Sequence, residues 1–110
     1  MTKSIKLINY TEENIERGMI LRCKGKDPYE EVVDFLICEL SSDDGYQLVV
    51  SSGYKAGLAY VILPRESVPE GFRFGLATAW LLANWHIWGY IDCPLEDVWL
   101  LENSTPAYPE

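Results

Sequence analysis

His86 is the single histidine of this 110-residue chain, so any nucleophile that relies on an imidazole base must use it. The candidate nucleophiles are the thiols of Cys23, Cys38 and Cys93, with Asp92 as a candidate orienting carboxylate. None of these stands in a recognisable motif: there is no CxxC, no Cys/His ligand spacing and no HExxH. A solitary histidine on an apolar helix is more often a hydrogen-bonded core or rim residue than a base. Three widely spaced cysteines read as reduced thiols, two of them in apolar segments as small core residues, as in a reducing cytosol.

Carboxylates are the other chemical resource. Glu30, Glu31 and Asp34 could share one face, and so could Glu96 and Asp97. Paired carboxylates serve acid/base chemistry or hard metal ions. Without a DxDxDG loop they read first as solvated surface charge, and Asp43-Asp44-Gly45 reads first as a turn. No metal and no cofactor is expected. Gly53 and Gly57 bracket Tyr54-Lys55-Ala56. A phosphate loop would continue into Lys-Ser/Thr and a helix, whereas a strand follows here. Turn geometry with positive φ at one or both glycines is the simpler account, and it puts Tyr54 and Lys55 at an exposed hairpin tip.

The elements that must position these groups are legible in outline. Residues 4–10 are a short strand or an irregular lead-in. Thr11-Glu12-Glu13-Asn14 has helix-start chemistry, stopped by Gly18. Met19 to Cys23 reads as a strand. Asp27-Pro28-Tyr29-Glu30 would start a helix well, and Val32, Val33, Leu36, Ile37 and Leu40 keep helical spacing after it. Against that, VVDFLIC is rich in β-branched and aromatic residues and Phe35 falls off the stripe, so residues 28–40 are open between helix and strand. Tyr46 to Ser51 and Leu58 to Leu63 form an antiparallel hairpin around the Gly53–Gly57 turn. Phe74 to about Trp88 is a helix apolar nearly all round, carrying Trp80, Trp85 and Trp88, ended by Gly89. Asp97 to Glu102 supplies a last short strand, and residues 103–110 a mobile tail. The expected architecture is one α+β domain over residues 1–102. An antiparallel sheet packs against one main apolar helix (about 74–88), with a second helix possible in the N-terminal half.

Composition bounds the function classes. The chain is 48% hydrophobic, 24% charged and 13% aromatic, with 17 acidic against 9 basic side chains and a net charge of −8. Such a balance argues against direct nucleic-acid binding, which needs clustered Lys and Arg, and against an anionic membrane surface. It suits a basic protein partner, and it equally suits simple solubility. Phe74 to Ile91 is free of formal charge. Asn84, His86, Gly75 and Gly89 within it favour a buried helix over a membrane span. The N-terminus lacks a signal-peptide pattern, so a cytoplasmic location is expected.

Three stretches carry a family likeness: SSGYKAGL (Ser51 to Leu58), Leu63-Pro64, and WLLANWHIW (Trp80 to Trp88). Together they resemble small immunity proteins of bacterial polymorphic-toxin and contact-dependent growth-inhibition systems, the immunity protein 45 family in particular. The resemblance implies a cytosolic, non-enzymatic protein. It would bind the C-terminal domain of a cognate toxin and block its active site or its substrate entry. It supplies no binding residues. Gly53, Gly57, Trp80, Asn84, Trp85 and Trp88 are expected to hold the fold. Many such toxins are nucleases with basic clefts, where acidic groups could imitate nucleic-acid phosphate; Glu30, Glu31, Asp34, Asp43, Asp44, Tyr54 and Lys55 are the candidate contacts. Tyr29, Tyr46 and Trp99 are candidate aromatic anchors. Two other readings are an adaptor domain with an aromatic groove at Trp85 and Trp88, and a small enzyme built on His86.

Overall fold

The computed structural model describes residues 4–25, 31–40, 45–68 and 75–102. Strands β1 (Ser4–Lys6), β3 (Ile20–Lys24), β4 (Val32–Glu39), β5 (Tyr46–Val50), β6 (Ala59–Ile62) and β8 (Trp99–Leu101) form one antiparallel sheet in the order β1-β8-β3-β4-β5-β6. Strands β2 (Asn14–Ile15) and β7 (Leu76–Ala77) form a separate two-stranded clasp. One α-helix, α1 (Thr78–Trp88), follows the clasp directly.

The open question over residues 28–40 resolves as strand for the part described. Val33, Phe35 and Ile37 point inward, opposite Cys23, Leu21 and Leu48 respectively. Phe35, which spoiled the helical stripe, sits in the middle of this period-two row. The β-branched run suits a strand paired on both edges, here by β3 and β5. The candidate helix start at Asp27 to Glu30 lies outside the described residues. Likewise the helix-start chemistry at Thr11 produces no helix. Asn14 and Ile15 are extended because Ala77 and Leu76 offer them sheet partners, and Gly18 turns the chain at φ 90°.

The main helix begins at Thr78, four residues after Phe74. Gly75 takes φ 141°, and a Cβ there would lie 2.2 Å from the Ile15 carbonyl oxygen. Leu76 and Ala77 are therefore held extended against β2, and the helix starts only when that pairing ends. The Thr78 N–H, unpaired within the helix, donates to the Glu13 carbonyl at 2.9 Å.

A single buried cluster joins the inner face of the sheet to Leu81 and Trp85 of α1 and to Leu7, Ile15, Leu76 and Val98. Trp85 is 3% exposed, and its Nε1–H donates to the Cys93 carbonyl at 2.8 Å. Trp80 and Trp88 pack against the cluster from its rim, with ring centroids 6.3 Å apart. The tryptophans of the NWHIW stretch thus serve the fold, Trp85 most completely. Asn84 donates from its amide to the Trp80 carbonyl one turn back. No helix among the described residues is long and apolar enough to cross a membrane.

Among the described residues, only one face of the sheet is roofed. The other carries Ile20, Arg22, Lys24, Val32, Leu36, Val49, Ile62 and Trp99, all partly or fully exposed.

Candidate partner-binding surface

The hairpin tip is built by its glycines. Gly53 has φ 73° and Gly57 φ 97°, so both brackets take left-handed backbone, as the spacing suggested. Val50 and Leu58 hold the neck of the turn: Val50 N–H donates to the Leu58 carbonyl at 2.9 Å, and Gly57 N–H to the Val50 carbonyl at 2.6 Å. Tyr54 is thrust into solvent, 74% exposed, with the Lys55 ammonium 5.7 Å from its ring centroid.

Beyond the tip the chain enters β6, the outermost strand of the sheet. Leu58, Tyr60 and Ile62 are all exposed there, Ile62 by 60%. The Tyr60 hydroxyl donates to the Gly89 carbonyl at 3.3 Å, at the end of α1. The Tyr60 ring meets Phe35 and Tyr90, with centroids 5.0 and 5.9 Å away. These contacts bring the strand to Gly89 and Tyr90, which the exposed Ile87 and Ile91 flank in the chain, Ile91 being 87% exposed. Leu58, Tyr60, Ile87 and Ile91 therefore fall on two stretches of chain that meet at Tyr60, while the Ile62 side chain projects from the open sheet face. Apolar side chains gathered in this way mark contact surfaces more often than singly scattered ones do.

The open sheet face is a second, more polar surface. Asp34, 8% exposed, takes both Arg22 Nε–H and Nη2–H at 2.8 Å. Its backbone N–H donates to Ser52 Oγ and its carbonyl accepts from Ser51 N–H. The hydrogen bond that Arg22 donates to Asp34 keeps its guanidinium charged even more firmly than usual. The expectation that Asp34 offers its charge to a partner therefore meets a competitor: Arg22 already neutralises it inside the chain. Lys6 lies over Trp99, 5.4 Å from its ring centroid, and with Arg22, Lys24 and Val32 it lines a shallow groove of about 430 Å³.

Of the other candidate contacts, Glu31 is exposed beside this groove, while Glu30, Asp43, Asp44 and Tyr29 lie outside the described residues. Tyr46 is buried in the core rather than standing as an anchor, because β5 turns it inward opposite Glu39. Trp99 faces outward on the open sheet face, 41% exposed.

The groups considered for catalysis are dispersed. His86 is exposed in the last turn of α1, and Asp92 is exposed beyond it. Cys23 and Cys93 are buried free thiols. Burial, with Cys93 close by, holds the Cys23 thiol far above the ordinary range, which opposes the thiolate needed for attack. No group of three or more His, Cys, Asp or Glu side chains able to hold a metal exists among the described residues. The adaptor reading loses one wall of its groove, since Trp85 is in the core.

Sequence reasoning missed Leu58, Tyr60, Ile62, Ile87 and Ile91 as surface residues. Their apolar types read as interior, and only the strand order reveals that β6 is an edge.

The described residues define a small α+β domain, one helix on one face of an antiparallel sheet, whose distinctive features are an apolar edge and, among those residues, an uncovered charged face. The chain belongs to a family described as Immunity protein 45, whose model matches residues 7–100. No curated protein and no solved structure matches it.

Proposed function

We propose that this chain neutralises one cognate toxin domain by stoichiometric binding that covers the toxin's active site or substrate entry. The observation that carries this reading is the family match, which spans the buried core, the tip and the helix together. The clustered apolar surface supports it, because tight protein partners need a desolvated anchor set. The action is non-enzymatic and cytoplasmic. The toxin is read as basic, since a net charge of −8 attracts a cationic surface over long range and speeds encounter.

The test is a titration of the purified toxin domain, taken from the gene upstream, with this protein. Toxicity should disappear at one protein per toxin and a 1:1 complex should elute on sizing. Protection at far below one equivalent would point to an enzyme instead. The absence of any complex would sink the reading.

A further inference from the structure

We infer that the toxin docks by adding an extended strand to the free edge of β6, with Ile87 and Ile91 receiving its side chains. This inference rests on the reading of the chain as a toxin-neutralising immunity protein. The backbone supplies the first part of the argument. Leu63 N–H donates to the Tyr46 carbonyl, so residues 63 and 61 turn their polar groups toward β5. By the alternation of antiparallel ladders, Ile62 turns its N–H and C=O the other way. Past the irregularity opposite Leu48 and Val49, the Leu58 carbonyl again faces β5, and Ala59 faces out. Among the described residues no strand takes these outward groups.

Edges of this kind are normally guarded by charge, proline or brevity. The opposite edge, β1, is three residues long and carries Lys6. β6 is only one residue longer, has a bulge opposite Leu48 and Val49 and is followed by Pro64, but it carries no charge, and its exposed side chains are apolar. An uncharged edge with outward main-chain groups is what strand addition uses: main-chain bonds give affinity and side-chain contacts give selectivity.

Charge identifies the occupant. From Gly45 to Arg65 the chain carries Lys55 and Arg65 and no carboxylate, although the whole chain is strongly acidic. A second copy pairing antiparallel about Tyr60 would set Lys55 against the partner's Arg65 at both ends, and would bring two chains of net charge −8 together. A toxin strand with apolar residues at its centre and carboxylates toward its ends meets no such conflict. The acidic remainder of the chain then acts at a distance, and this acid-free edge acts in contact.

Amide hydrogen exchange and binding measurements on the complex with the toxin domain test the inference. The amides of Ala59 and Ile62 should slow on binding, more than those of Lys24 or Trp99 on the open sheet face. Ile62→Pro removes the outward donor at a position where an edge strand accepts proline. Ile62→Lys guards the edge without touching the backbone. Each should weaken toxin binding about tenfold or more. Lys24→Glu should leave it unchanged. If Ile62→Pro fails to fold, Ile62→Lys and the exchange pattern of the unmodified protein decide. Full affinity in the folded Ile62 variants, or protection confined to the open sheet face, overturns strand addition while the immunity reading stands. A dimer of this protein alone that Ile62→Lys abolishes also overturns it, because the occupant is then a second copy. Failure of the unmodified protein to bind or protect rejects both readings together.

Discussion

Gly89 ends α1 with ordinary negative φ, yet only glycine fits. A Cβ there would lie 2.2 Å from the Trp85 ring. Gly89→Ala should therefore cost about 1–3 kcal/mol through displaced packing, visible as a lower urea midpoint and an altered near-ultraviolet tryptophan signal. Thr78 presents the opposite case. Its hydroxyl is buried with no hydrogen-bond partner among the described residues, so Thr78→Val should leave stability unchanged or raise it by about 1 kcal/mol. The thiols give a pH signature. Cys23 is raised by burial from the ordinary 9.0, so the folded chain favours the neutral thiol. That stabilisation is fully present below pH 9 and is lost as pH rises further, because the unfolded chain ionises first. Thermal midpoints should fall from pH 9 upward, and less steeply in Cys23→Ala; the residual slope belongs to Cys38, Tyr10 and Tyr46, also raised by burial. At neutral pH, the half-buried Cys38 should react first with a thiol reagent. At this scale the sequence was a good guide to Gly53 and Gly57, whose spacing forecast their backbone. It could not reveal that Asp34 belongs to Arg22, because that pairing depends on the register of β3 against β4.

Elements were legible where period and punctuation agreed. The hairpin of β5 and β6, strand β3 and the apolar helix all follow from apolar runs bounded by Gly, Pro or Asp. Residues 32–39 satisfied two periods at once, and a partner on each side, which periodicity does not contain, decided for the strand. The start of α1 was displaced for a similar reason: the clasp of β2 with β7 holds Leu76 and Ala77 extended. Gly75 is the hinge of that clasp. Gly75→Ala sets a Cβ against the Ile15 carbonyl at a φ of 141° and should cost about 2–4 kcal/mol in denaturant titrations. A loss below about 0.5 kcal/mol would mean that the clasp contributes little to the fold.

For the whole molecule, the acidic balance predicts kinetics rather than shape. Association with the toxin domain should slow as salt is raised, and reversing Glu30 and Glu31 to lysine should lower the rate and flatten that dependence. A rate indifferent to both would separate this protein's charge from its function. The fold class was readable because one long apolar helix needs a sheet to cover it. The edge position of β6 was not, since strand order is set by which surfaces bury together, not by any single segment.

That same strand order governs when the molecule can exist. β8 lies between β1 and β3, so two strands from the beginning of the chain are separated by one that is made after nearly everything else described. During synthesis β1 has no neighbour to pair with and β3 keeps one side bare. The sheet closes only when Trp99–Leu101 slides into the gap. Contacts so distant along the chain slow the search for the native state. A chain truncated before Trp99 should therefore fail to close the sheet, and on the proposed reading it should not bind a toxin domain.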